Sequence, residues 1–121
     1  MKDPDKRAVV IIPHKDDPVR LDRCLAALLP TLPDEVAVAV VDNGSEGDIT
    51  DVLSRYPGVD LLYEPLAGAA NARNRGVAET DAPLLLFLDA DCLPDANWAE
   101  TALTVADQGD LVTGEVYVFH E

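Results

Sequence analysis

Short apolar runs alternate with amphipathic stretches along the whole chain. The runs are rich in Val, Leu and Ile and predict strands, whereas the stretches between them carry apolar residues at helical spacing. The predicted strands are 8–12, 36–41, 59–63, 84–88 and 110–119, and the predicted helices are 18–29, 48–55, 68–78 and 95–106. This strictly alternating order favours a parallel sheet with helices on both faces and right-handed crossovers.

The predicted fold class is therefore α/β, with three layers in the order α/β/α. The strands read as nearly continuous apolar runs, which is typical of strands covered on both faces. With 121 residues and only short loops between elements, the chain is expected to form one domain over residues 1–121.

The charge balance limits the possible partners. The chain has 9 Lys and Arg residues against 23 Asp and Glu residues, for a net charge of −14. Such a surface repels polyanions, so nucleic acid and an anionic membrane are excluded as expected partners. No Lys or Arg follows Arg75. An anionic ligand in that half would need a metal ion, helix N-termini, or Arg73 and Arg75.

Cysteine use and the N-terminus favour a reducing, cytoplasmic location. Cys24 and Cys92 are too few for a disulfide framework or a cysteine metal cluster. We expect both to be packing residues. The N-terminal segment is charged and lacks an apolar signal region, and no apolar run is long enough to predict a transmembrane segment.

The segment LLLFLDADCLP, residues 84–94, carries the strongest chemical signal. Asp89 and Asp91 follow an apolar strand at a spacing that lets both carboxylates turn toward one point. Carboxylate oxygens suit hard divalent cations, so the pair predicts a site for Mg²⁺ or Mn²⁺ shared with a diphosphate. The alternative is a loop with one helix-capping Asp and one solvated Asp.

Three other loops are expected to lie beside this pair. Ligands of open α/β sheets bind beyond the carboxyl ends of the strands, where the strand order reverses. Asp42, in VVDNGS, could accept from a base or a ribose, or could bond its own turn. Gly68 precedes a helix whose N–H groups suit an anion. His14, in PHKDDP, could close a pocket or could simply pack.

Together these motifs, in this order, resemble the N-terminal half of the family 2 glycosyltransferases from Ala8 to Leu103. The matching segments are VVIIP, VVDNGS, AGAANARNRG and FLDADCLP. The resemblance implies a GT-A fold with a mostly parallel, Rossmann-like sheet. It implies transfer of a sugar from a nucleoside-diphosphate donor to an acceptor hydroxyl, usually with inversion.

The resemblance also implies roles for particular residues. Asp42 would contact the base, and Asp91 would bind the metal on the diphosphate, with Asp89 beside it. The expected nucleotide-sugar site comprises Pro13, His14, Asp42, Gly68, Arg73, Asn74, Asp89 and Asp91.

This sequence departs from the family pattern in two ways. Asn43 stands where a second Asp is common, Leu66 where Asn is common, and Asp16 where Asn or Arg is common, which leaves the nucleotide and the sugar open. The family's general base lies well beyond the acid pair, and no residue here matches it. We therefore expect a donor-binding domain truncated before the acceptor half, with acceptor and oligomeric state unassigned.

Three alternatives remain at this point. A non-catalytic nucleotide-sugar or regulatory module would share the fold and bind without transfer. A receiver-like signalling domain fits the size, but it would need an Asp after strand three and a Lys after strand five. A phosphatase of the DxD type would place its acid pair after the first strand of its fold.

Overall fold

The structure, a computed structural model, describes residues 6–107 and contains one parallel sheet. Its strands are β1 (Ala8–His14), β2 (Val36–Asp42), β3 (Val59–Tyr63) and β4 (Leu84–Phe87). The helices are α1 (Pro18–Leu28), α2 (Thr50–Leu53), α3 (Ala69–Glu79) and α4 (Trp98–Asp107), and a short 3-10 helix spans Leu29–Thr31. Within residues 6–107, none of the helices has the length and apolarity that a membrane crossing requires.

The sheet separates two hydrophobic layers, which confirms the predicted three-layer α/β/α class. Along β1, Val10 and Ile12 pack into the larger layer with α1, α2 and α4. Val9 and Ile11 point the other way and pack with Ala72 of α3. Both faces of the central strand are covered by helices, which explains why its sequence is apolar from Ala8 to Pro13.

The strand order β3-β2-β1-β4 creates a switch point between β1 and β4. The chain first winds outward through β2 and β3, and then returns to add β4 on the other side of β1. The loops after β1 and β4 therefore leave the sheet side by side at the point where the strand order reverses, and open α/β sheets bind their ligands at such points. This order also rules out the receiver-like alternative, whose fold has the order 2-1-3-4-5.

The first strand continues two residues beyond its predicted end. Proline was expected to stop it, because proline cannot donate to a ladder. The Leu88 N–H donates to the Ile11 carbonyl at 3.1 Å, so Ile11 faces β4. Pro13 faces the same side, beyond the last β4 residue in register, Phe87. Within the described residues, Pro13 has no strand partner on that side, so its missing N–H removes no hydrogen bond from the sheet. His14 still pairs with β2.

Helix boundaries differ from the predictions by a few residues. The helix predicted from residue 95 begins at Trp98, and the second helix is a single turn, Thr50–Leu53. Gly76 of α3 lies against the sheet: a Cβ at this position would be 2.5 Å from Ile11 Cγ2. Glycine is thus required by close packing. The predicted strand 110–119 lies outside the described residues.

Candidate functional site

A cavity of about 350 Å³ lies at the switch point. Its lining brings together five of the eight predicted site residues, namely Pro13, His14, Gly68, Asp89 and Asp91. They come from the ends of β1 and β4 and from the residue that precedes α3. The cavity lies in the size range of small-molecule sites, roughly 300–1,000 Å³.

The two side chains of the acid pair are exposed, whereas the residues beside them in the sequence are buried. Asp89 and Asp91 are exposed, whereas Leu88 and Ala90 are buried and hold the backbone in place. One carboxylate oxygen from each acid and the Cys92 Sγ lie within 4.8 Å of one another. Two hard oxygen donors at this spacing fit Mg²⁺ or Mn²⁺, and Cys92 adds a softer sulfur at the edge.

Arg73 forms an ion pair with one member of this acid pair, Asp89. It projects from the second turn of α3, and its Nη2 lies 3.4 Å from Asp89 Oδ1. Both side chains are about half-exposed, so the contact is weak and open to exchange. Arg73 is therefore available to an anion that approaches the acid pair.

His14 and Asp42 form a buried pair at the carboxyl ends of β1 and β2. The Asp17 N–H donates to His14 Nε2 at 3.0 Å, which makes this nitrogen an acceptor. The imidazole proton is then on Nδ1, which donates to Asp42 Oδ1 at 3.0 Å. His14 thus packs inside the site rather than on the surface, and it fixes the orientation of the Asp42 carboxylate.

The same carboxylate orders the next loop. The Ser45 hydroxyl donates to Asp42 Oδ1 at 2.6 Å, and the Ser45 N–H lies 3.2 Å from Oδ2. Ser45 Oγ in turn accepts from the Asp16 N–H at 2.8 Å. Asp16 adopts a left-handed φ of 54°, an uncommon conformation that Asp tolerates better than most residues. Asp42 therefore bonds its own turn, as the alternative interpretation predicted, and it also lines a separate cavity beside Tyr63.

Asn43 holds the loop between β3 and α3 through its side-chain amide. Its Nδ2 donates to the carbonyls of Glu64 at 2.9 Å and Leu66 at 2.8 Å. Its Oδ1 accepts from the Gly68 N–H at 2.8 Å. A carboxylate at this position could not donate to the two carbonyls. The departure from the family's usual Asp therefore has a structural reason in this chain.

Glu64 and Arg75 stabilise the same loop from its other side. The Leu66 N–H donates to Glu64 Oε2 at 2.8 Å, and Arg75 Nε donates to Oε1 at 3.0 Å. The hydrogen bond from Leu66, and then the Arg75 guanidinium, lower the pKa of Glu64 despite the opposing effect of its burial. Arg75 also contacts Glu79, so it pairs with two carboxylates outside the acid pair, whereas Arg73 pairs with Asp89.

Cys24 lies in the core beneath the acid pair, as predicted. Its burial, and then the charges of Asp91 and Asp89, raise the pKa of the thiol to about 12. The thiol therefore remains protonated at neutral pH and is a packing group.

The structure does not gather every predicted residue. Asp42, Arg73 and Asn74 are not among the residues that line the cavity. Asp42 lines a separate cavity, Arg73 contacts Asp89 from α3, and Asn74 is exposed on α3. Conversely, the sequence did not indicate that Asn43 would hold a distant loop. Nor did it indicate that Arg20 and Arg23 of α1 would lie beside Asp91. Their spacing of three residues places both arginines on one helix face, and this pattern was the sequence feature that could have indicated a shared site.

Comparison with known proteins agrees with this geometry. The model of glycosyl transferase family 2 matches residues 9–121. The glycosyltransferase AglE of Haloferax volcanii is 34% identical over 88% of this chain and 38% of its own length. The validoxylamine A glucosyltransferase of Streptomyces hygroscopicus subsp. limoneus is 33% identical over 78% of this chain and 22% of its own length. The chain thus spans well under half of these relatives.

Solved structures share the fold. The mannosyltransferase PcManGT from Pyrobaculum calidifontis, in complex with GDP-Man and Mn²⁺, superposes with a TM-score of 0.70 at 23% identity. It covers 80% of this chain and 31% of that protein. Glucosyl-3-phosphoglycerate synthase from Mycobacterium tuberculosis, with Mn²⁺ and UDP, gives 0.74 at 17% identity, over 87% and 41% of the two chains. With its GT-A sheet and its family match over nearly the whole sequence, the chain belongs to glycosyl transferase family 2 and is a glycosyltransferase domain.

Proposed function

We propose that the switch-point cavity binds the nucleoside-diphosphate part of a sugar donor, with Mg²⁺ or Mn²⁺ held by Asp91 and Asp89. One observation carries the proposal: two exposed carboxylates share a cavity with the start of α3 and with the β1 loop, and a cation faces them. Carboxylates alone repel a diphosphate, so a cation between them is required. The pair of hard oxygen donors supports that choice of ion.

The metal, when bound, would neutralise the diphosphate and stabilise the leaving group. The chain's own residues contribute the rest. Arg73 supplies a guanidinium close to Asp89, which could move from that carboxylate to a phosphate oxygen. No side chain caps the first turn of α3, so its backbone N–H groups are available to an anion.

The nucleoside end of the donor would lie toward β1 and β2. His14 fixes the Asp42 carboxylate, and Asn43 fixes the loop that begins α3. Because these groups are already fixed, ligand binding does not have to order them, and the entropy cost of binding is lower. We propose Asp42 as the contact to the base and Pro13 as part of the pocket wall. Asn74 lies outside the cavity lining, so it would contact only a part of the donor that extends beyond the cavity.

At the level of the reaction, we propose transfer of the donor sugar to an acceptor hydroxyl with inversion. Support comes from the family match of this chain and from two solved structures that share its fold, one crystallised with GDP-Man and Mn²⁺ and another with UDP and Mn²⁺. The nucleotide, the sugar and the acceptor of this chain are not assigned. We propose no general base, and we propose that residues 1–121 supply the donor side of a larger enzyme.

Calorimetric titration tests the site. UDP, GDP, UDP-glucose and GDP-mannose are titrated into the protein with Mn²⁺, with Mg²⁺ and with EDTA. We expect at least one nucleotide to bind with a metal and to lose most of its affinity in EDTA. Asp91→Asn should weaken metal-dependent binding at least tenfold, because it removes a charged ligand.

Asp81→Asn is the matched control. Asp81 is exposed in the loop before β4, at the opposite end of the strand from the acid pair. It undergoes the same charge change and should leave binding intact. Equal losses in Asp81→Asn and Asp91→Asn, or metal-independent binding of every nucleotide, would refute the metal site.

A further inference from the structure

A second cavity adjoins the acid pair on the side of α1. Its volume is about 200 Å³, and it is lined by Arg20, Arg23, Asp91 and Leu93. Asp91 lines this cavity as well as the larger one at the switch point, so the two meet at the proposed metal ligand. A group bound in the second cavity would therefore contact whatever is bound at Asp91.

The lining of this second cavity is cationic in a strongly acidic protein. Two of the nine Lys and Arg residues lie there, although the chain has a net charge of −14. Arg20 and Arg23 are three residues apart on α1 and share one helix face. Among residues 6–107, Asp91 is the only acidic residue in the lining, so the charge of this described lining is positive, and a metal ion on Asp91 would make it more so.

Neither arginine is satisfied by a strong ion pair. Arg20 Nη1 lies 3.6 Å from Asp17 Oδ2 in an exposed contact within one helical turn, which is a weak pair. Arg23 has no ion-pair partner among residues 6–107. Both arginines line the cavity, and neither forms an ion pair with Asp91. Their donors therefore remain available to a ligand.

We propose that Arg20 and Arg23 bind an oxyanion, a phosphate or a carboxylate, carried by the substrate at Asp91. The planar guanidinium stays charged and donates in pairs to either group, which makes two arginines a suitable receptor. Leu93 adds an apolar wall for the carbon skeleton next to the anion. The proposal rests on the proposed function only in placing a sugar donor at Asp91.

The oxyanion has two possible sources with the same chemistry. It is either the carboxylate of an acidic donor sugar or a phosphate on the acceptor. In both cases the arginines select a charged substrate over its neutral counterpart, so they determine specificity.

The test uses small anions with the full chain and no divalent metal. Inorganic phosphate, D-glucuronate and neutral D-glucose are titrated while the Nε–Hε NMR signals of the arginines are followed. We expect saturable shifts at Arg20 and Arg23 with at least one of the two anions, and none with glucose. The anion that binds more tightly, glucuronate or phosphate, distinguishes the sugar from the acceptor as the source.

Two variants test whether Arg20 and Arg23 themselves bind the anion. The double variant Arg20→Gln/Arg23→Gln should weaken anion binding at least tenfold. Arg7→Gln is the matched control, because Arg7 is a partly exposed arginine that precedes β1, at the opposite end of the sheet. Linear, non-saturating shifts, or an equal loss in Arg7→Gln, would show general ionic attraction and overturn the proposal.

Asp91→Asn separates this proposal from the metal site. Removal of the nearby negative charge should leave phosphate or glucuronate binding at the arginines unchanged or tighter. The same variant should lose metal-dependent nucleotide binding. Failure of the proposed function would leave the anion titration intact, whereas failure of the arginine site would leave the metal-dependent titration intact.

Discussion

At the scale of one residue, Asn43 places a neutral, hydrogen-bonding amide at a position where the family pattern commonly has a charged Asp. Its amide uses both a donor group and an acceptor to hold the loop that leads into α3. The side chain is buried, so each lost bond leaves a polar backbone group without a partner. Asn43→Asp keeps the shape but turns a donor into an acceptor facing two carbonyls.

We predict that Asn43→Asp lowers the free energy of unfolding by about 2 kcal/mol, measured by urea denaturation at neutral pH. Asn74→Asp makes the same change on an exposed position of α3 and should alter stability by less than about 0.5 kcal/mol. If the two variants unfold at the same urea concentration, the amide of Asn43 does not hold the loop.

Glu64 stabilises the same loop by an amount that depends on pH. Its pKa in the folded protein lies below the ordinary value of 4.5, chiefly because the Leu66 N–H and Arg75 favour the carboxylate. The folded state then binds the proton less tightly than the unfolded chain does. The stabilisation is complete above pH 4.5 and is lost as the pH falls through the folded-state pKa.

We predict that Glu64→Gln is less stable than wild type near neutral pH and that the difference shrinks as the pH falls from about 6 to about 3. Urea midpoints measured across this range provide the test. Glu79→Gln removes the other, more exposed partner of Arg75 and should show a much smaller difference. A constant gap between Glu64→Gln and wild type would contradict the assignment.

At the scale of elements, the packing of α3 on the sheet depends on Gly76. Alanine is a better helix former than glycine by about 1 kcal/mol, so propensity alone predicts stabilisation. Yet a Cβ at this position would lie 2.5 Å from Ile11 Cγ2, a distance at which the helix or the strand must move. Because Ile11 and its neighbours Val10 and Ile12 are fully buried in the central strand, the strand has little freedom to move away from α3.

We therefore predict that Gly76→Ala destabilises the protein by about 1–3 kcal/mol in urea denaturation. Gly47→Ala, at a loop position with nothing within 4 Å of the added Cβ, should be neutral or slightly stabilising. The cost of Gly76→Ala should fall in an Ile11→Ala background, where the obstructing methyl groups are absent. Additive effects would mean that the contact does not set the cost.

The same elements show what a single sequence can predict. Apolar runs located all four described strands. The central strand β1 is covered on both faces and therefore apolar over most of its length, and the edge strand β3 is still largely apolar although Asp60 is exposed. The acid pair was found because charge directly after such a run is conspicuous. The end of β1 was missed, because whether Pro13 disturbs a ladder depends on how far β4 extends. The contacts of Arg20 and Asn43 depend on which loops become neighbours, which local pattern does not encode.

At the scale of the whole molecule, the net charge of −14 affects every measurement with a cation. Self-repulsion among acidic side chains destabilises the compact state, and salt screens it. Added NaCl, Mg²⁺ or Mn²⁺ should therefore each raise the melting temperature, whether or not a specific site exists. A rise with metal alone says nothing about Asp91.

The specific site should appear as an excess over that general effect. At matched ionic strength, we predict that Mn²⁺ together with a binding nucleotide raises the melting temperature by more than the sum of their separate effects. At a ligand concentration of about 100 times Kd, the stabilisation is about 2.7 kcal/mol. Asp91→Asn should keep the general rise and lose the excess, because the other surface acids remain. Asp81→Asn should keep both. A persistent excess in Asp91→Asn would place the metal elsewhere on this acidic surface.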